Sequence, residues 1–302
     1  VIRSSWESSW LLAEAEGIVR TFTLSDHNTR VVVLATTLLG LAAGAVGVFT
    51  LLRRRALLGD ALSHAMLPGI GIAFLVATSL GRDGKALPTL MVGAVLSGAV
   101  AAMVLVAIRR MTKLHEDAAM GIVLSVFFGL GLVILGVIQQ TSGGHAAGLE
   151  SFVYGKTASI TTRDAWWIAA AALPALAVVG LMLKEWSLVC FDEQYARTTG
   201  LSIGRVDGVM MAAVVMVIVV GLQAVGAILV IALLVIPAAA ARFWTHRVAV
   251  MVVVSALIGA VSCLCGSLIS AIFAGLPSGP TIVLVSSAIF AVSLVVGRRN
   301  VR

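Results

Sequence analysis

From residue 31 onward the chain is a succession of apolar runs about twenty residues long, separated by short charged stretches. A helix of roughly 20 apolar residues is what it takes to cross the hydrocarbon core of a bilayer. The runs are 31–52, 61–80, 87–108, 118–138, 165–183, 208–241, 248–274 and 281–296. The run 208–241 is too long for one ordinary crossing and holds Gly221, Gln223 and Gly226 near its middle, where a helix can break or turn. It is read as two short crossings. The expected fold is therefore an all-α integral membrane protein with about nine spans, or eight if that run crosses once.

Charge agrees with this reading. Only 12% of the residues are charged and 60% are hydrophobic, against about 25% and 45–50% in an ordinary soluble domain. So little charge cannot coat a globule, and disorder is excluded because it needs the opposite balance. The net charge of +7 does not point to nucleic acid, since a phosphate-attracting field needs clustered charge on a wet surface. The three cysteines form no Cys-x-x-Cys pair, so neither a zinc ribbon nor a disulfide framework is indicated.

Cytoplasmic loops of membrane proteins are enriched in Lys and Arg. With nine spans and the N-terminus outside, the inner loops collect Arg53, Arg54, Arg55, Arg109, Arg110, Lys113, Lys184, Arg197, Arg205, Arg242 and Arg247, with Arg298, Arg299 and Arg302 at a cytoplasmic C-terminus. With eight spans the last two groups fall outside, so the split fits better. Residues 1–30 are set apart from a permeation domain over 31–302. Residues 1–25 lack the long apolar core of a signal peptide. Trp6, Trp10 and Leu11 share a helix face there, with Glu7, Glu14 and Glu16 more exposed, which reads as an amphipathic helix lying in the outer interface.

Ionisable side chains inside spans are costly and are functional candidates by default. Asp60 and His64 stand in Gly59-Asp-Ala-Leu-Ser-His-Ala-Met-Leu-Pro-Gly69, and a spacing of four puts them on one helix face. Pro68 has no N–H, so the His64 carbonyl loses its usual partner. A carboxylate with a neutral imidazole is a mixed O/N donor set suited to first-row divalent ions. On spacing alone two readings stand: a metal-holding pair, or a capping Asp60 with a packed, hydrogen-bonded His64. His64 lies about 14 Å from Arg55 along a continuous helix, a depth that weakens the interfacial alternative.

The stretch 58–71 resembles the signature of the ABC-3 family, the permease subunits of bacterial manganese, zinc and iron ABC importers. The resemblance continues through His115-Glu-Asp-Ala-Ala-Met-Gly-Ile122, Ser151-Phe-Val-Tyr-Gly155, 191–201, Gly221-Leu-Gln-Ala-Val-Gly226, Ile236-Pro-Ala-Ala-Ala-Ala241 and Leu276-Pro-Ser-Gly-Pro280, in family order. It implies a fold like that of type II ABC importers and a divalent metal ion as transported substrate, with no permanently bound cofactor. Asp60 and His64 occupy the positions of the family's proposed metal ligands. Pro68 is more like the manganese and iron members.

The longest inner loop, 184–206, holds Phe191-Asp-Glu-Gln-Tyr-Ala-Arg-Thr-Thr-Gly-Leu201. Asp192 suits the cap of a short helix that Gly200 closes with positive φ. Phe191 and Tyr195, with Ala196, would then face one side as anchors for a partner's groove. By resemblance this is the coupling helix that seats in an ATPase subunit, with Asp192, Ala196 and Gly200 at matching positions. Gly155-Lys-Thr157 lacks the earlier glycine of a phosphate loop, because Glu150 stands there. No His-Glu-x-x-His occurs either, so no residue is given a catalytic role and the chain is not read as an enzyme.

Gln223, at the break in the long run, fits either the permeation path or a hydrogen bond between helices. Glu116 and Asp117 are read as favouring a helix N-terminus. Gly40, Gly44 and Gly47 are spaced for close helix packing. The resemblance further implies as partners two ATP-binding cassette subunits, a second permease copy or a similar permease, an extracytoplasmic metal-binding protein and membrane lipid, with no nucleic acid, in a bacterial cytoplasmic membrane. Permeation of iron–siderophore or cobalamin would need a wide path without an Asp/His pair. An ATP-independent carrier, with Asp60 and His64 as a proton relay, would be expected to show inverted repeats, and none is evident.

Overall fold

The computed structural model describes residues 27–81, 84, 86–141, 160–273 and 276–300. The amphipathic segment expected within residues 1–30 falls almost wholly outside them, as does the stretch around Glu150 and Gly155. Among the described residues twelve helices follow one another and no strand occurs. They are α1 (His27–Leu52), α2 (Leu58–Ala65), α3 (Leu67–Ser79), α4 (Leu87–Met111), α5 (Glu116–Thr141), α6 (Thr162–Leu181), α7 (Leu183–Phe191), α8 (Glu193–Thr198), α9 (Ile203–Val225), α10 (Ala227–Arg242), α11 (Val248–Ile272) and α12 (Ser278–Asn300).

Among the described residues eight segments are long and apolar enough to cross a bilayer, with α2 and α3 forming one of them over Leu58–Ser79. The ninth expected crossing is α10, with 16 residues. At 1.5 Å per residue it spans about 24 Å, short of a hydrocarbon core of about 30 Å. The long run does divide, at Gly226, whose φ of 87° and ψ of 164° lie in a region essentially reserved for glycine. Its N–H bonds the carbonyls of Gly221 (3.2 Å) and Leu222 (3.0 Å), closing α9. Val230 then packs directly on Gly221, a contact a continuous helix would separate by about 13 Å, so the chain doubles back. Gly226→Ala is expected to cost about 1–3 kcal/mol, visible as a lower melting temperature of the detergent-solubilised protein.

The centre of the molecule is α1, in which every residue from Ala42 to Thr50 is buried; a helix apolar all round belongs inside. It packs along α11 through small residues. Gly40 meets Gly259, the Ser255 hydroxyl bonds the Gly44 carbonyl at 2.6 Å, and Thr36 and Ser267 hydroxyls lie 3.1 Å apart. Gly47 faces the Leu234 backbone of α10. The outer helices α4, α5, α6 and α12 expose large apolar side chains such as Leu96, Val133, Leu173 and Leu284. Such surface is untenable in water on this scale and ordinary against lipid tails.

Candidate functional site

Asp60 and His64 come together as their spacing requires: His64 Nε2 lies 3.3 Å from Asp60 Oδ1, with both side chains about one-third exposed. Asp60 is in the first turn of α2 and His64 in its last. The His64 ring meets Phe128 of α5 edge-on at 4.8 Å between centroids. The helix breaks at Met66, between α2 and α3, and Pro68 is the second residue of α3. The backbone groups at the break are largely answered. Ser97 of α4 donates to the Ala65 carbonyl at 2.6 Å, and the Met66 N–H serves Leu62 at 3.2 Å and lies toward the His64 carbonyl, which Pro68 alone would have left free.

The depth expected for His64 needs correction. Residues 53–57 form a turn rather than helix, so His64 stands only about 9 Å along α2 from its start at Leu58. Among the described residues no group of three or more His, Cys, Asp or Glu side chains is placed to hold a metal ion. The pair thus supplies two donors, where first-row ions take four or more. An open apolar groove of about 750 Å³ runs between α3, α4 and α5 beside Pro68 and Gly69, but its wall carries no ionisable side chain. Thr89 and Ser97 are its hydroxyl-bearing lining residues, so it offers no carboxylate, imidazole or thiolate to replace the water around an ion.

Gln223 sits in α9, three residues before the Gly226 turn. Its amide donates to Asp164 Oδ1 at 3.4 Å across to α6, while its buried Oε1 has no partner. Asp164 in turn closes a reciprocal cap with Thr161 at the start of α6. The structure brings Gln223 to Asp164 and does not place it against Asp60 or His64.

Within 184–206 the short capped helix forms where expected, as α8, while Phe191 ends the separate helix α7. Asp192 Oδ1 accepts from the Tyr195 N–H at 2.8 Å and caps α8. Gly200, at φ 82°, ends it: its N–H bonds the Arg197 carbonyl at 3.1 Å and the Leu201 N–H bonds that of Ala196 at 3.2 Å. This is the paired closure that a left-handed residue after a helix makes possible. Phe191 and Tyr195 are 70% and 57% exposed, an unusual cost for two aromatic rings in water, but Ala196 is fully buried. Ala196 therefore does not share the exposed face expected for it; its missing bulk lets α8 lie against the rest of the chain.

One feature escaped the sequence reading. Arg55, counted as an inner-loop charge, is only 1% exposed. Its guanidinium forks onto Asp207 (2.7 and 3.1 Å) and reaches Glu116 with three bonds of 3.0–3.2 Å. Arg53 bonds the same Asp207 at 3.1 Å, the Glu193 carboxylate of α8 at 3.4 Å and the Val189 carbonyl at 3.2 Å. Arg109 contacts Glu116 at 2.6 Å and Asp207 at 3.5 Å. Arg53, Arg55 and Arg109 thus converge on Asp207 and Glu116, and Glu193 is shared between Arg53 and the exposed Arg197 (2.9 Å), so each carboxylate faces at least one guanidinium. Burial works against the Arg55 charge, but the bonds and charges of Asp207 and Glu116 outweigh it and its pKa is raised. The Arg197 hydrogen bond, ahead of the Arg53 charge, holds the Glu193 carboxyl below its ordinary range despite partial burial. Glu116 opens α5 as expected and is also bound by Arg55 and Arg109. The available signal was an acid near a helix start after a basic residue, Glu116 opening α5 after Arg109 and Asp207 in the second turn of α9 after Arg205.

The model of the ABC 3 transport family matches residues 25–297. The zinc transport system membrane protein TroC of Treponema pallidum is 43% identical over 273 residues, 90% of this chain and 90% of that protein. The manganese transport system membrane protein MntC of Bacillus subtilis is 38% identical over 272 residues, 90% of this chain and 61% of that protein. Among solved structures, PsaBC from Streptococcus pneumoniae in complex with a Fab matches with a TM-score of 0.75 at 28% identity, covering 93% of this chain and 95% of that one. An inward-facing metal-chelate type ABC transporter shares the fold, with a TM-score of 0.69 at 14% identity over 94% of this chain and 97% of that one. With its helical spans, its fold and nearly its whole length matched, the chain belongs to the ABC 3 transport family.

Proposed function

We propose that this chain is the membrane permease of an ATP-driven importer of a first-row divalent metal ion, Mn²⁺, Zn²⁺ or Fe²⁺, in a bacterial cytoplasmic membrane, with its N-terminus outside and its C-terminus cytoplasmic. The observation that carries it is the 3.3 Å pairing of Asp60 with His64 at a broken span, in a chain whose relatives are named for manganese and zinc transport. A carboxylate and an imidazole on one helix face replace two waters of a divalent ion at once. The remaining donors come from the other side of the path, from the same pair on a second copy or from a similar permease. The metal is cargo, held only while the path is closed around it.

ATP hydrolysis belongs to two partner subunits, whose clefts take the exposed Phe191 at the end of α7 and Tyr195 of α8. An extracytoplasmic binding protein delivers the ion. Reconstitution with its ATPase in proteoliposomes tests this: Mn²⁺ or Zn²⁺ uptake should require hydrolysable ATP. Equal uptake without ATP would favour a secondary carrier instead. A β-branched residue at Gly200 meets a left-handed conformation that costs roughly 1–2 kcal/mol, enough to open a six-residue helix. Gly200→Val is therefore expected to lower ATPase co-purification and uptake several-fold.

A further inference from the structure

We infer that Arg53 and Arg55 are positioning residues that tie the ATPase-facing helix α8 to the helix carrying Asp60 and His64. The inference rests on the function proposed above and concerns how its two ends communicate. The turn 53–57 is the piece of chain they share. Its backbone is held on one side by Arg54 N–H to Leu51 (2.9 Å) and Arg55 N–H to Thr50 (2.8 Å), the closure of α1. Arg54 takes φ 57° to make it, a conformation uncommon outside glycine. On the other side Leu58 N–H bonds the Arg55 carbonyl at 3.0 Å and Ala61 N–H bonds that of Leu57 at 2.9 Å. Arg55 is therefore joined by backbone hydrogen bonds to the first turn of α2, and Asp60 lies in that turn.

The two side chains leave this turn in different directions. Arg53 holds Glu193 on α8 and the Val189 carbonyl at the end of α7. Arg55 holds Asp207 in the second turn of α9 and Glu116 at the start of α5. Helix α5 is also the one whose Phe128 lies on the His64 ring. A shift of α8 thus acts on Arg53, and through the shared Asp207 on Arg55. From there it reaches α2, which carries the Asp60–His64 pair, and α5, whose Phe128 lies on His64. A buried guanidinium between two carboxylates exchanges partners in discrete steps rather than deforming smoothly, as elements of two-state transitions do. Apolar side chains would serve stability as well as a buried ion network does, but they would not register the movement of one charged neighbour.

The test is a coupling measurement, because spatial intermediacy alone does not establish a pathway. The full complex with its ATPase is titrated with Mn²⁺ in the nucleotide-free state and after trapping with ADP and vanadate, free nucleotide having been removed. In the wild-type complex the Mn²⁺ affinity should differ between the states by about tenfold or more, within the usual range for coupled sites. Arg53→Gln and Glu193→Gln both remove the Arg53–Glu193 contact, whose Glu193 side is exposed, and Glu193→Gln does so with the Arg53 bonds to Asp207 and Val189 kept. Each should leave the nucleotide-free affinity within about twofold while bringing the ratio between states toward one. The double variant should do no more than either single change, since both cut the same link. Arg55→Lys keeps the charge, loses the fork and should act likewise. If it does not fold, the Arg53 and Glu193 variants decide. A wild-type ratio that persists in those variants overturns the inference. A wild-type complex with no difference between states overturns the proposed function, and the inference with it.

Discussion

Metal uptake should fall to about one hundredth or less when Asp60 or His64 is replaced by alanine, with the protein still folded and still bound to its ATPase. Removing a partner that merely supports a metal ligand typically costs 10–100-fold in affinity, and a direct donor weighs more. In this chain the two groups form the only pair of their kind on α2, and each is about one-third exposed, with the Phe128 ring against His64 as the one aromatic contact given up in His64→Ala. Substitutions at such positions usually shift stability by no more than about 0.5 kcal/mol, so elution from a sizing column should not change. Asp60→Asn keeps the shape and the bond to His64 but removes the negative charge, and should be nearly as damaging. Ser63→Ala is the control: its hydroxyl only bonds the Gly59 carbonyl of its own helix, at 2.7 Å. Isotope uptake into proteoliposomes reads all four. Wild-type rates in both alanine variants would remove the pair from the transport path.

Gly47→Val should leave little folded protein. A side chain at that position would run into the Leu234 carbonyl of α10, and the atoms in the way are backbone. No rotamer change relieves such a clash, so α1 and α10 would have to separate. They lie at the centre of the molecule, where overpacking alone costs about 1–3 kcal/mol and loss of the surrounding helix contacts adds to it. Gly180→Val gives the comparison, because an added side chain there meets nothing and should not change the melting temperature. Fluorescence-detected gel filtration of both variants after heating separates the two outcomes.

The spans were legible because twenty consecutive apolar residues are a strong local signal that needs no partner to be read. Gly226 was legible within its run because glycine at the middle of so long a segment marks a turn. Asp60 with His64, and Asp192 with Gly200, were visible because each pair is separated by only a few residues and helix geometry does the rest. What stayed hidden depends on contacts across the fold. Arg55 meets Glu116 and Asp207, which lie 61 and 152 residues further on, and counting positive charges by loop says nothing about their partners. For the same reason Gln223 gave no sign of Asp164, nor His64 of Phe128. The depth of His64 was overestimated because the tight turn before Leu58 depends on an arginine in a left-handed conformation, which no residue preference announces.

The doubling back at Gly226 bears on how the protein is made. Helices α9 and α10 are joined by that single glycine, whose N–H is already bonded to the end of α9. No charged loop separates them, so inserting the two requires no polar segment to be carried through the bilayer between them. They can enter from the translocation machinery together, as one hairpin. This gives α10, too short to hold a place in the membrane by its own length, a longer neighbour to shelter against from the moment of synthesis. Lengthening the link with a few polar residues would then be expected to impair membrane integration of α10 before it impaired anything in the finished transporter.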